Sequence, residues 1–294
     1  MTSGPRTNGT VRTVQAKPEM NGNYGRDQDG SILFAVMPAP GHVNPMLAIA
    51  CDLRDRGYTI LFNTAEVFRK QVESKGIRFV PLTGRANFDY RTFNKFIPEG
   101  KTLTPGPEEM NHNLQHVFGD TMLDQCEGLK DIISRESVDL IVTDFLFMGI
   151  FPLLLGPDTD RPPIISVGVT PVLLSSADAS LFAPVTTEDA RERNREETAK
   201  FQASLAPGTE YIDNILRGYG SKPLPGFVFD CLYTMPDLFL QLTADAFEFP
   251  RTDMPVHMKY VGPLLTGPSS SFQPPDWWKE LDGSKPVVLV TQGT

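Results

Sequence analysis

Residues 32–56 read ILFAVMPAPGHVNPMLAIACDLRDR. The apolar run 32–37 has the length and composition of a buried strand. A turn follows over residues 38–43. Asn44-Pro45 then predicts the opening of a helix, because Asn accepts free N–H groups and Pro needs none. Met46, Ile49, Ala50 and Leu53 recur at helical spacing. The stretch is a strand–turn–helix unit with one imidazole, His42, in its turn.

The same alternation continues downstream. Gly57 ends the first helix, and strands are expected over 58–63 and 77–82 around a helix at about 65–75. A helix is expected over 112–135, a strand over 138–143, a short helix near 147–155 and a strand over 164–169. Strands and helices at this interval indicate crossover units, hence an α/β fold with a Rossmann-like, doubly wound parallel sheet. Residues 83–107 form a long irregular segment with Phe88, Tyr90, Phe93 and Phe96, the character of a lid or binding loop. Residues 188–200 read as a solvated charged helix and 210–219 as another. Residues 238–242 and 258–261 read as short late strands.

Four regions are expected. Residues 1–30 are a disordered leader, rich in Gly, Asn, Thr and Arg with little to bury. Residues 31–265 are one Rossmann-like domain, and 266–285 are a linker containing TGPSSSFQPP. Residues 286–294 supply a last apolar strand over 287–290 and a Gly-containing turn. That strand either begins a further domain of a longer protein or adds to a sheet elsewhere.

The formal net charge of -9 and the absence of a basic stripe argue against a nucleic-acid partner. Cys51, Cys126 and Cys231 lie far apart without metal-ligand spacing, as expected of buried thiols in a reducing compartment. The first fifteen residues lack the apolar core of a secretory signal. The apolar run 145–155 is too short to cross a bilayer. A soluble, cytoplasmic protein without a stable membrane span is expected.

In a doubly wound sheet, ligands bind outside the carboxyl ends of the strands where the winding reverses, commonly between the first and fourth strands. His42 leaves the first strand there and Asp144 leaves the fourth. Neighbouring strands lie about 4.8 Å apart, so the two side chains are within reach of each other. A carboxylate on one imidazole nitrogen fixes the tautomer and leaves the other nitrogen basic, which suits a general base acting on a hydroxyl. The plainer alternative is a turn histidine bonded to backbone and an aspartate capping the next helix.

Other motifs are absent or weak. The turn PAPGHVNP has one Gly and three Pro, so no dinucleotide cradle forms there, and Glu66 near the second strand means little without one. There is no HExxH, lysine-bearing phosphate loop or GxSxG elbow. Ser175-Ser176 lacks elbow glycines and reads as pocket lining or surface. His112 and His116 are an i,i+4 pair without a third ligand, so no metal site is expected. Phe145, Phe147, Met148 and Phe151 read mostly as core, with the first of them able to face a crevice holding His42.

Residues 37–62 closely resemble the N-terminal signature of UDP-glycosyltransferases with the two-domain GT-B fold, especially the macrolide and sterol branch. VDLIVTDF at 138–145, VGPL at 261–264 and VVLVTQGT at 287–294 fit that family in the same order. The resemblance implies the N-terminal half of a GT-B fold plus the first strand of a C-terminal donor domain. It implies transfer of a hexose, with glucose the default, from a UDP-sugar co-substrate to a hydroxyl of a small hydrophobic acceptor, with inversion and without metal. His42 would be the general base, Asp144 the carboxylate that orients it, and Gly293 and Thr294 part of the turn near the donor diphosphate. Where the family often has Gly-His, this chain has Gly57-Tyr58, a position between helix and strand. Without the rest of the donor domain the isolated chain is expected to be inactive. The alternative is a catalytically silent small-molecule or protein-binding module.

Overall fold

The computed structural model describes residues 30–92, 103–157, 160–179, 188–264, 273–288 and 290. Its centre is a strand that begins as soon as apolar residues begin: β1 (Ser31–Ala35), with four successive buried side chains. β1 is flanked by β2 (Thr59–Thr64) and β4 (Leu140–Asp144), both parallel to it. With β3 (Arg78–Pro81), β5 (Ile164–Gly168), β6 (Leu238–Gln241) and β7 (Met258–Tyr260), the order is β3-β2-β1-β4-β5-β6-β7. Every pairing is parallel. The expected reversal of winding between the first and fourth strands is therefore present.

A sheet buried on both faces needs apolar residues of both parities, and the strands supply them. One face carries Phe34, Phe62 and Val142 and packs against Val43, Met46, Leu47 and Ala50 of α1 (Pro40–Asp55). The other carries Leu33, Ala35 and Ile141 and packs against Met122, Leu129 and Ile132 of α4 (Asp120–Arg135). α4 continues a helical run that starts at α3 (Pro107–Asn113) and passes through a π-helical segment, Leu114–Gly119. α5 (Ile150–Leu155), α6 (Glu188–Ser204), α7 (Ala206–Gly218) and α8 (Val228–Thr234) complete the α-helices among the described residues, with α2 (Arg69–Glu73) following β2.

Several boundaries differ from the sequence reading. α1 opens at Pro40, not at Asn44-Pro45. Extended Ala39 is the residue before it, and Pro40 is tolerated at the first helical position because its missing N–H had no partner to lose. Pro45 sits inside the helix and forfeits one rung. The expected 65–75 helix is split into a 3-10 turn (Glu66–Phe68) and α2. The helix expected from residue 112 begins earlier, at Pro107. α8 was unexpected: VFDCLYT carries β-branched and aromatic residues that do not announce a helix, and burial of five of the seven sets its form.

At the C-terminal end the expected buried strand is not part of the sheet. Val287, Val288 and Val290 stand 62%, 84% and 87% exposed and belong to no strand among the described residues. Within the expected linker, described residues 273–285 are exposed and contain one 3-10 turn, Asp276–Glu280. The expected leader, apart from Gly30, lies outside the described residues, as do Phe93 and Phe96. No helix among the described residues is long and apolar enough to cross a membrane.

Candidate active site

β1 ends at Ala35, but the backbone stays extended for one more rung, with the Val36 N–H donating to the Asn63 carbonyl at 2.9 Å. The chain then leaves the sheet, and the Met37 N–H, no longer facing β2, donates to Asp144 Oδ2 at 2.6 Å. Two prolines keep the turn short before α1 begins. His42 is the third residue of α1, and its N–H donates to the Ala39 carbonyl at 3.0 Å. That first turn aims the imidazole back across the end of β1 toward β4.

Asp144 is the last residue of β4 and is fully buried. Its Oδ1 lies 2.8 Å from His42 Nδ1 and accepts the Leu146 N–H at 3.1 Å. With the Met37 N–H on Oδ2, three donors converge on one carboxylate. The side-chain pair joins two strands neighbouring at the switch point, 102 residues apart in sequence. The His42 side chain is 16% exposed, so the ring is held from below and open at its rim. Phe145, 3% exposed, stacks on it with centroids 6.1 Å apart and ring planes 21° from parallel.

Burial of the imidazole disfavours its charged form. The adjacent Asp144 charge and the hydrogen bond to it outweigh that penalty, so the His42 pKa lies above the ordinary histidine value. With Nδ1 committed to the carboxylate, Nε2 is the nitrogen left to exchange a proton. The arrangement can accept a proton from a hydroxyl beside the carboxyl edge of the sheet, and Asp144 stabilises the resulting imidazolium.

The remaining candidates are placed as follows. Phe147, Met148 and Phe151 are core residues beneath the sheet, whereas Phe145 touches His42. Ser175-Ser176 belongs to a braced loop: the Ser175 N–H donates to Asp230 and Ser176 Oγ to Asp253, both at 2.8 Å. His116 Nδ1 lies 3.2 Å from Asp120 Oδ2, and the His112 and His116 rings meet edge to face at 4.7 Å. Glu66 pairs with Arg69 on the surface. No group of three or more His, Cys, Asp or Glu among the described residues is arranged to hold a metal ion. All three cysteines are free thiols, and burial pushes Cys126 up to about 11. Gly293 and Thr294 lie outside the described residues.

One buried polar residue near the site escaped the sequence reading. Gln125 falls within the apolar stripe Met122, Cys126, Leu129 and Ile132 of α4 and is 1% exposed. An amide at a core position of a helix is itself a signal, since it must find partners there. A cavity of about 640 Å³ lies elsewhere, lined by Lys130, Leu153, Gly156, Arg161 and Tyr219. Arg161 precedes β5, which puts this cavity toward the amino ends of the strands, away from His42.

Comparisons with known proteins agree in kind. Residues 32–136 match the glycosyltransferase family 28 N-terminal domain. UDP-glycosyltransferase 2 of Phaeomoniella chlamydospora is 34% identical over 275 residues, covering 90% of this chain and 60% of that protein. The 4'-demethylrebeccamycin synthase of Lentzea aerocolonigenes is 30% identical over 270 residues, covering 90% and 63%. The chain thus spans about three-fifths of the length of these relatives. Among solved structures, the kitacinnamycin glycotransferase superposes with a TM-score of 0.59 at 18% identity, over 85% of this chain and 56% of that one. The calicheamicin glycosyltransferase CalG4 gives 0.55 at 21% identity, over 84% and 56%. At those identities the superpositions speak to the fold alone.

Proposed function

Because the chain belongs to the UDP-glycosyltransferase family of GT-B fold, we propose that it is the acceptor-binding half of an inverting glycosyltransferase with His42 as general base. The observation that carries this reading is the 2.8 Å contact between His42 Nδ1 and a fully buried Asp144 at the β1/β4 switch point. In the proposed step, His42 Nε2 takes the proton of an acceptor hydroxyl as its oxygen bonds to the anomeric carbon of a UDP-hexose, glucose by default. The bond from that carbon to the diphosphate breaks with its electron pair leaving on UDP, and the configuration inverts. Asp144 holds the ring in the tautomer that presents Nε2 and balances the positive charge that forms. The proton then passes from His42 to solvent.

The proposed acceptor is a small hydrophobic alcohol or phenol. Phe145 against the imidazole supports an apolar surface beside the base. The proposed donor site lies in sequence beyond this domain, with Gly293 and Thr294 at its diphosphate turn. Acceptor and donor must be held together for transfer, so the chain by itself is expected to bind acceptor without turning it over.

The test is an assay of the chain joined to a donor domain, with UDP-glucose and a panel of hydrophobic alcohols. Transfer that falls by roughly two to four orders of magnitude in His42→Ala supports the base assignment. Transfer that survives in His42→Ala overturns it, and acceptor binding with no transfer by the joined protein identifies a silent binding module.

A further inference from the structure

Gln125 is a side-chain amide on the core face of α4, 1% exposed, that the proposed chemistry leaves unexplained. Its surroundings are apolar: Met122, Cys126 and Leu129 on its own helix, with Phe147, Met148 and Phe151 in the same core. A Leu or Met would fill such a place at no hydrogen-bonding cost, so the amide needs another reason to be there.

Both ends of the amide are engaged. Oε1 accepts the Gly149 N–H at 2.8 Å, and Nε2 reaches Met37 Sδ at 3.2 Å. The backbone N–H of Gly149 can only donate, which fixes the oxygen toward it and the nitrogen toward sulfur. The approach on the Gly149 side leaves no room for a side chain, since a Cβ there would run into the Gln125 Cβ and lie 3.1 Å from the Cys126 nitrogen.

These two partners are not arbitrary. Asp144 receives its backbone hydrogen bonds from Met37, just beyond β1, and from Leu146, just beyond β4. Gln125 grips the first of these residues by its side chain. It grips the second segment three residues further on, at Gly149, where the turn after β4 closes into α5. One amide on α4 thus brackets both segments whose N–H groups aim the carboxylate at His42, and it does so from the opposite face of the sheet.

We propose that Gln125 is a positioning residue, bracketing Met37 and Gly149 so that the Asp144 carboxylate stays aligned on His42 Nδ1. The inference rests on the reading of His42 as general base, but its test needs no turnover.

The experiment is an imidazole titration by NMR on the 294-residue chain, comparing it with Gln125→Met and Met37→Leu. His42→Gln assigns the His42 signal among the four histidines. In folded Gln125→Met, the His42 midpoint is expected to move down toward the ordinary histidine value. Exchange of the Met37 and Leu146 amide protons is expected to speed up roughly tenfold, the loss of about one hydrogen bond. A lowered melting temperature with unchanged His42 titration and unchanged amide exchange overturns the proposal and leaves Gln125 as packing only. Should Gln125→Met fail to fold, Met37→Leu removes the sulfur while sparing Gly149. A smaller shift of the same sign supports the bracket, and none overturns it. Survival of transfer in His42→Ala would overturn the base assignment instead, so the two failures are distinguishable.

Discussion

Two pairs of titratable or charged side chains beyond the carboxyl ends of strands, one partly open and one buried, are built in opposite ways. At the β1/β4 switch, His42 and Asp144 meet at 2.8 Å, and three donors surround the carboxylate. After β6, Arg251 and Glu248 approach only to 3.8 Å although their side chains are 1% and 7% exposed. There the guanidinium serves backbone oxygens instead, those of Val172 at 3.1 Å and Phe249 at 3.4 Å. Glu248 takes the Val172 N–H, and Gln241 bonds the Thr170 carbonyl at 2.7 Å. The second network is a clamp on the loop after β5. Its cation never changes charge, whereas the imidazole of the first is open at its rim and can gain and lose a proton. Burial alone therefore does not mark a pair able to exchange a proton; a partly open titratable group facing a well-bonded carboxylate does.

The largest effects expected from this contrast fall on different measurements. Asp144→Asn in the chain joined to a donor domain keeps the shape but lets Nδ1 face an amide, and transfer is expected to drop by at least about a hundredfold with little change in acceptor affinity. Initial-rate kinetics with a saturating donor measure it. An equal loss in binding would place Asp144 in the pocket wall rather than behind the base. Arg251→Ala is expected to cost about 3 kcal/mol of folding stability in urea denaturation, because it strands the Glu248 charge in the interior. The same variant is expected to leave the His42 titration unmoved, and a shift there would join the two networks into one.

A smaller cost is expected at Gly168, the residue that ends β5. A Cβ there would run into Gln241 Oε1 and lie 2.9 Å from the Phe239 ring, so Gly168→Ala must displace the amide that holds Thr170. About 1–3 kcal/mol is expected, read by the same denaturation. Pairing with Gln241→Ala, which removes the obstacle, should make the two costs less than additive.

The clamp and the switch were unequally legible in sequence. Residues 32–37, 138–143 and 164–169 announce buried strands by composition, and their spacing announces crossovers, so the neighbourhood of His42 and Asp144 followed from topology before any contact was known. Arg251 and Glu248 are three residues apart in FEFPR, a spacing that reads as a solvated surface pair, and only the packing of that segment against residues 170–172 buries them. Pro40 and Pro45 are both acceptable near a helix start, and the choice fell to the extended Ala39 that precedes Pro40. Gln125 was visible as a polar interruption of an apolar stripe, but its partners, Met37 and Gly149, come from two other elements. Residues 287–290 carry the apolar signature of a core strand, yet its described members stand exposed, because apolar composition reports a tendency to be buried and not the surface that does the burying.

The smallest expected effect follows from the sign of the His42 shift. The folded-state pKa lies above the ordinary value near 6.5, so the folded chain binds the proton more tightly than the unfolded chain does. The stabilisation this represents is fully present below about 6.5 and is lost as pH rises through the folded-state value. His42→Gln should therefore remove a decline in stability across that window, measured as the difference in urea midpoints between the two proteins at a series of pH values. A matching slope in both would place the pair's strength elsewhere than in the proton. A general base needs its neutral form, so transfer by the joined protein should rise with pH across the same window. Stability and turnover then run in opposite directions on one titration, which no change at Arg251 is expected to reproduce, because a guanidinium has no proton to give up there.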